Sequence, residues 1–191
     1  MLSKEVLRRL ALQARDAQSD RDTRSHSICE RLFGLPEFET AGTVLSYIGV
    51  SSEVATGEVV RRALNEGKRL AVPWVAPEGL RATFIRSLEE VALARFGLLE
   101  PPPALRSDPA RACRPGEVDL FVIPGVAFDR AGGRLGHGRA YYDRLLPQAR
   151  AGAHFIGLAF ECQMVDAVPM DEKDIRMHAV VTEVAVYRSV R

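Results

Sequence analysis

Short apolar runs recur along this chain with helical patterns between them, and that alternation restricts its fold more than any other feature. The runs are residues 43–48 (TVLSYI), 69–74 (RLAVPW), 81–85, 118–123, 155–160 and 179–182. Several are apolar nearly throughout, as strands buried on both faces are. Residues 3–17 read as a helix, with Ser3 as its N-cap and Val6, Leu7, Leu10 and Ala14 as its apolar face. Ser19 or Asp20 caps a second helix reaching Phe33, with Ile28, Leu32 and Phe33 turned inward. Residues 56–65 form a third, stopped by Gly67, and residues 88–94 and 141–146 read as short helices. Pro73 places the 69–74 run at a sheet edge or a strand end. Residues 100–103 (EPPP) are stiff and extended, and residues 105–117 lack a period and read as surface loop. The expected fold is α/β: one domain over residues 1–191, with a mostly parallel central sheet and helices on both faces. Ligands of such sheets sit beyond the carboxyl ends of the strands.

Composition narrows the function classes. A net charge of +1 gives no broad basic field, so nucleic acid is not an expected partner. The polar, charged N-terminus reads as neither a secretory signal nor a membrane span. The three cysteines are widely spaced, odd in number and without zinc spacing, which fits reduced thiols in the cytoplasm.

The chemistry concentrates in the segment that follows the 118–123 run: PGVAFD at 124–129, GGRLGHGR at 132–139 and YYD at 141–143. Glycines after a strand let backbone N–H groups approach a ligand, and a helix leading out offers its positive end to an anion. Arg134 and Arg139 add full charges, and Asp143 adds a hard oxygen ligand suited to Mg²⁺. Together they describe a seat for a metal–nucleotide polyphosphate. The segment is not a P-loop, because no Gly-Lys-Ser/Thr closes it, and Gly136, Gly138 and Ala140 miss the dinucleotide spacing. From the residues alone it is a phosphate site of some kind.

These residues resemble the 5-formyltetrahydrofolate cyclo-ligase (methenyltetrahydrofolate synthetase) family. The resemblance runs nearly end to end, from Lys4 and Arg8 through Glu53, GLLEP at 97–101 and the PGVAFD…GGRLGHG…YYD segment to Asp174 and VVTE at 180–183. The long segment is its specific part. The resemblance implies the NagB/RpiA/CoA-transferase-like architecture and an ATP-dependent ring closure. 5-Formyltetrahydrofolate becomes 5,10-methenyltetrahydrofolate, with ADP and phosphate released. Phosphorylation of the formyl oxygen turns a poor leaving group into a good one, and the reaction needs cations and backbone donors around the γ-phosphate.

Carried over position by position, the resemblance implies roles. Lys4 and Arg8, which share a helix face, bind ATP phosphates. The nucleotide loop is Arg134, Leu135, Gly136, His137, Gly138 and Arg139, continuing through Ala140, Tyr141 and Tyr142. Arg134, Arg139 and Tyr141 are the catalytic candidates, and His137 either donates to a phosphate or fills a turn. Asp143 and Asp174 are the metal candidates, with Mg²⁺ as the implied cofactor. Glu53 pairs with a pterin as a bidentate acceptor, or is a helix-N-terminal glutamate. Ile48 packs on the folate, and Tyr142 or Phe128 stacks on a ring. Trp74 covers the pterin or closes the fold. The expected partners are ATP and 5-formyltetrahydrofolate, with no nucleic acid or membrane, in a cytoplasmic monomer. Two positions depart from the pattern. Ala140 stands where glycine is usual, and its methyl crowds the loop or restricts φ. His178 stands where aspartate is common. They motivate a rival reading, a folate- or nucleotide-binding homologue with little turnover. A sugar-phosphate isomerase or acyl-CoA transferase is compatible with the architecture but leaves the glycine loop without a purpose.

Overall fold

The computed structural model describes residues 2–94, 97 and 99–189. Leu98 of the GLLEP stretch lies outside the described residues. The chain opens with α1 (Lys4–Asp16), α2 (Arg21–Phe33) and α3 (Pro36–Glu39), then β1 (Thr43–Ser46), α4 (Gly57–Asn65), β2 (Arg69–Ala76) and β3 (Gly79–Ile85). Two short strands, β4 (Ala92–Leu93) and β5 (Leu99–Glu100), precede α5 (Pro103–Arg106) and β6 (Ala112–Cys113). After β7 (Leu120–Ile123) come β8 (Ala127–Asp129), β9 (Arg134–Leu135), α6 (Tyr141–Leu145) and β10 (His154–Leu158). The chain ends with β11 (Met164–Val165), β12 (Ala179–Val181) and β13 (Val186–Arg188).

The main sheet has eight strands in the order β13-β12-β10-β7-β1-β2-β3-β6. The run from β12 to β2 is parallel, and β13, β3 and β6 are antiparallel additions at the edges. The buried strands alternate their side chains between two cores. Leu120 and Val122 face one with Val44 and Leu70; Phe121 and Ile123 face the other with Leu45 and Ala71. Each fully buried Leu, Ile or Phe of this run stabilises the fold by about 1.5–3 kcal/mol. Helices cover both faces unequally: α2, α3 and α4 pack on the first core, and the short α6 on the second.

At the amino end of the sheet, Asp119 ties three strands together. Its Oδ2 accepts the Gly42 and Thr43 N–H groups at 2.8 Å each, its backbone N–H donates to Thr43 O, and its carbonyl accepts from His154 N–H. At the opposite end, the chain leaves β1 toward β2 on one side and leaves β7 toward β10 on the other. The loops therefore diverge between β1 and β7, and a crevice opens there.

Several local expectations change. Ser3 caps α1 as expected, accepting the Val6 N–H at 3.3 Å. The buried face of α1 is Leu7, Ala11 and Arg15, while Leu10 is 44% exposed. The helix packs on the β8–β9 hairpin through Leu7 and Ala11, and Arg15 turns inward because its Nε donates to Ser52 Oγ at 3.1 Å. Asp20 is the N-cap of α2. Pro73 marks neither an edge strand nor a strand end: β2 runs on to Ala76 against β3. Pairing with β1 stops at Ala71, so Pro73 lies beyond the parallel ladder. Residues 88–94 form a 3₁₀ turn (Leu88–Glu90) followed by β4. The 105–117 loop contains β6, whose Cys113 is buried opposite Ala82. Pro103 opens α5 and so ends the extended EPPP stretch early. Among the described residues no helix is long and apolar enough to cross a membrane.

Candidate active site

A cavity of about 590 Å³ occupies the crevice beyond β1 and β7. The phosphate, metal and substrate candidates Lys4, Arg8, Ile48, Glu53, the 134–143 segment and Asp174 all line it, whereas Phe128 and Trp74, named as ring contacts, do not.

The loop after β1 carries Glu53. Gly49 is required there, because a Cβ at that position would lie 2.1 Å from Val54 O. Thr56 Oγ1 pins the loop by donating to Tyr47 O at 2.6 Å and accepting from Gly49 N–H at 3.1 Å. Helix α4 begins at Gly57, so Glu53 lies before its first turn and the helix-dipole explanation does not apply. The Glu53 side chain is 15% exposed, and its Oε1 sits 3.9 Å from His137 Nε2. His137, exposed on the 134–139 loop, thus lies beside the carboxylate in the cavity lining.

The glycine segment divides into structural and cavity-facing parts. Gly125 and Gly157 make room for Phe128: a Cβ at either would come within 2.4–2.5 Å of its ring. Phe128 is fully buried in the core and stacks on no ligand. Gly133 makes room for Asp129, whose carboxylate accepts the N–H groups of Ala131, Gly133 and Val168. Gly132, at φ +81°, sits against Met177 O. Gly136 and Gly138 remain to shape the cavity. Arg8 Nε donates to Gly136 O at 2.8 Å, so α1 holds this loop in place.

Charge is arranged in two pairs. Arg134, on β9, has a side chain only 4% exposed, and its Nη2 donates to Asp143 Oδ1 at 2.7 Å. Its guanidinium lies 5.5 Å from the Tyr142 ring centre, and its Nε is buried with no hydrogen-bond partner. Such an N–H is costly to bury, and Arg15 Nη1 is buried in the same way. Lys4 Nζ donates to Asp174 at 2.7 Å and to Asp171 at 3.1 Å. The hydrogen bond it donates to Asp174 holds the Lys4 ammonium pKa above its ordinary value. Both metal candidates are thus paired with a cation, and both are hard oxygen donors lining the cavity. Arg139 is exposed at the rim. Burial pushes the Tyr142 and Tyr47 phenols up, so both stay protonated at neutral pH.

The expected helix dipole contributes little, since α6 has five residues. Its N-cap, Ala140, is left-handed at φ 50°, ψ 30°, so restriction of φ is the effect of alanine there. His178 lies outside the cavity lining. Its Nδ1 accepts the Phe155 N–H at 2.8 Å beside the His154 and Phe155 rings, a contact within the sheet. Trp74 also lies outside this cavity and lines a second hollow, with Nε1 donating to Thr83 Oγ1 at 2.9 Å.

Sequence reading assigned no role to the apolar residues Pro73, Val75, Leu80 and Leu99, which line the cavity along with Glu53 and Ile48. Nothing in Pro73, Val75 or Leu80 distinguishes them from ordinary strand positions, while Leu99 belongs to the GLLEP stretch, which was given no role. It also missed Asp171, and it named Glu100 only within GLLEP, with no role. Asp171 was legible as part of the acidic 171–174 cluster. Glu100 is buried and accepts from Val75 N–H at 3.0 Å and Arg106 Nη2 at 2.7 Å.

The 5-formyltetrahydrofolate cyclo-ligase family model matches residues 1–183. A 5-formyltetrahydrofolate cyclo-ligase of Mycolicibacterium smegmatis is 33% identical over 188 residues, covering 94% of this chain and 93% of that protein. A mitochondrial 5-formyltetrahydrofolate cyclo-ligase of Arabidopsis thaliana is 30% identical over 198 residues, covering 91% and 70%. The NMR structure of Aquifex aeolicus 5,10-methenyltetrahydrofolate synthetase superposes with a TM-score of 0.83 at 32% identity, covering 98% of this chain and 93% of that one. The end-to-end match, the shared fold and a crevice that collects the motif residues lead to one assignment: the chain belongs to the 5-formyltetrahydrofolate cyclo-ligase family of enzymes.

Proposed function

We propose that this chain, as one cyclo-ligase domain, uses Mg-ATP to close 5-formyltetrahydrofolate to 5,10-methenyltetrahydrofolate. The observation that carries the reading is the cavity lining, in which Lys4, Arg8, Arg134 and the Gly136–Gly138 loop share one crevice with the Glu53 carboxylate. One end of the cavity suits a polyphosphate and the other a pterin.

In this reading the formyl oxygen takes the γ-phosphoryl group, and ADP leaves. The folate N10 then attacks the formyl carbon and loses its proton, and phosphate departs with the oxygen. Glu53 accepts hydrogen bonds from the pterin amino and ring N–H groups, and Ile48 with the apolar lining packs the ring face. Lys4, Arg8 and the Gly136–Gly138 backbone bind the polyphosphate, with Leu135, Ala140 and Tyr142 shaping the loop around it. Arg134 stabilises charge on the transferring group, already oriented by Asp143; Arg139 and Tyr141 close on it from the rim. Asp143 and Asp174 would hold Mg²⁺, which supplies positive charge to the phosphate oxygens when bound. The near-neutral net charge and the free thiols of Cys29, Cys113 and Cys162 support a cytoplasmic protein with neither nucleic acid nor membrane as partner. We propose a monomer.

The test mixes purified protein, Mg-ATP and 5-formyltetrahydrofolate, and follows methenyltetrahydrofolate absorbance and ADP together. Matched, ATP-dependent production of both is expected. Flat absorbance with folate binding intact would replace this reading with a binding-only homologue.

A further inference from the structure

Glu53 closes a four-residue turn that begins at Val50. Its N–H donates to Val50 O at 3.0 Å, and the Val50 N–H donates in return to Glu53 Oε2 at 3.3 Å. The turn bends through Ser51, left-handed at φ 54°. The loop on either side is fastened separately: Tyr47 Oη donates to Val54 O at 3.3 Å, and the Ala55 N–H donates to Ser25 Oγ of α2 at 3.0 Å. The turn itself is fastened through Ser52, which is buried. The Ser52 hydroxyl accepts from Arg15 Nε at 3.1 Å and donates to Asp16 Oδ1. Among the described residues, these two are the turn's hydrogen bonds to the rest of the molecule. A hydroxyl used both as donor and as acceptor, each time with a charged partner, is held in one orientation.

Arg15 and Asp16 are the last two residues of α1. Lys4, Arg8, Ala11 and Arg15 recur at helical spacing and share one face, about 16 Å long. At one end of that face Lys4 pairs with Asp174, and Arg8 holds Gly136 O. In the middle, Leu7 and Ala11 pack on Val126, Ala127 and Leu135. At the other end Arg15 holds the Glu53 turn. One helix thus fixes the 134–139 loop and the Glu53 turn relative to each other. Arg15 is buried and its Nη1 has no partner. An apolar side chain would fill the same place without leaving an N–H unsatisfied, so packing alone does not call for arginine there.

We propose that Arg15 and Ser52 are positioning residues, which fix the Glu53 carboxylate at a set place relative to the 134–139 loop. Neither lines the cavity, so both act through Glu53. The proposal rests on the ring-closure reading above, in which Glu53 takes the pterin, and extends that site to the helix behind it.

Calorimetry with 5-formyltetrahydrofolate and, separately, with Mg-ATP tests it in a double-mutant cycle. Ser52→Ala should weaken folate binding by about fivefold or more and leave Mg-ATP affinity unmoved. In a Glu53→Gln background, itself weakened for folate, Ser52→Ala should add little, because the group it positions is already altered. Arg15→Met, which keeps the stem and loses the donor, should act like Ser52→Ala, and Arg15→Lys should recover most of the loss. Thermal melts followed by circular dichroism check folding. Asp16 is exposed, so Asp16→Ala keeps the test open if the buried variants fail to fold, and it should weaken folate binding in the same direction. Unchanged folate affinity in the folded variants, an equal loss for folate and Mg-ATP, or a loss that adds in full to that of Glu53→Gln overturns the positioning role and leaves the ring-closure reading standing. If Glu53→Gln binds folate as tightly as the wild type, the placement of Glu53 on the pterin fails and the positioning role with it.

Discussion

Replacing Ala140 by glycine should stabilise this protein. Ala140 is one of three non-glycine residues with positive φ among those described, at φ 50° and ψ 30°. The other two, Asp20 and Ser51, have short polar side chains; Ala140 has only a methyl, and it is exposed. An L-residue in the left-handed region loses about 1–2 kcal/mol to contact between Cβ and the carbonyl oxygen. Glycine removes that contact but gives up about 0.5–1 kcal/mol through the greater freedom of its unfolded chain. The exposed methyl buries little, so no packing is lost. The net gain is about 0.5–1 kcal/mol, or a rise in Tm of about 1–4 °C for a chain of this length. Ala17→Gly is the matched control, since Ala17 is exposed but right-handed at φ −76°, ψ −7°, and there glycine should destabilise by about 0.5–1 kcal/mol. Urea denaturation of both variants without ligand reads the two signs. A loss of stability in Ala140→Gly, or shifts of the same sign in both, would refute the argument.

Arg134→Ala should lower kcat by roughly a hundredfold, about 3 kcal/mol of transition-state stabilisation, with folate binding retained; near-normal turnover removes Arg134 from the phosphoryl-transfer step. Glu53→Gln should mainly raise the folate KM, and an effect confined to ATP would show Glu53 to be misplaced in the proposed site. Burial alone would push the Asp119 carboxyl up, but the Arg150 guanidinium and the Thr43 and Gly42 N–H groups outweigh it and hold the pKa below its ordinary value. Because the folded pKa is the lower one, this stabilisation is complete above the unfolded pKa of about 3.9 and is lost as pH falls through the folded value. Asp119→Asn should therefore flatten the acid limb of a urea-midpoint-against-pH curve. An unchanged slope below pH 4 would rule Asp119 out as a contributor.

The sequence carried more of the site than of the local secondary structure. The 134–143 loop was readable because glycine, arginine and aspartate at close spacing have few other uses, and neighbours in sequence stay neighbours in space. The glycines were readable as necessary but not for the right reason: Gly125 and Gly133 serve Phe128 and Asp129, contacts that a ligand-centred reading does not anticipate. Residues 88–94 were misread because their short apolar spacing fits a helix, whereas Ala92 and Leu93 are strand residues only because Leu99 and Glu100 lie across from them. Strand β6 was hidden for the same cause, since two residues become a strand only through pairing with β3.

The sequence by itself determined the parallel core and the chemistry of the loop. Near-continuous apolar runs must be buried on both sides, and glycines with arginines favour an anion wherever they lie. Only the tertiary structure decided which charges meet. Lys4 pairs with Asp171 and Asp174, 167 and 170 residues away, and the divergence of the chain between β1 and β7 sets Glu53 beside His137. Arg15 and Ser52, 37 residues apart, meet only because the end of α1 lies against the loop after β1. Propensity and burial act over a few residues at a time, whereas the partner of a charge depends on the order of strands in the sheet, which no local stretch encodes.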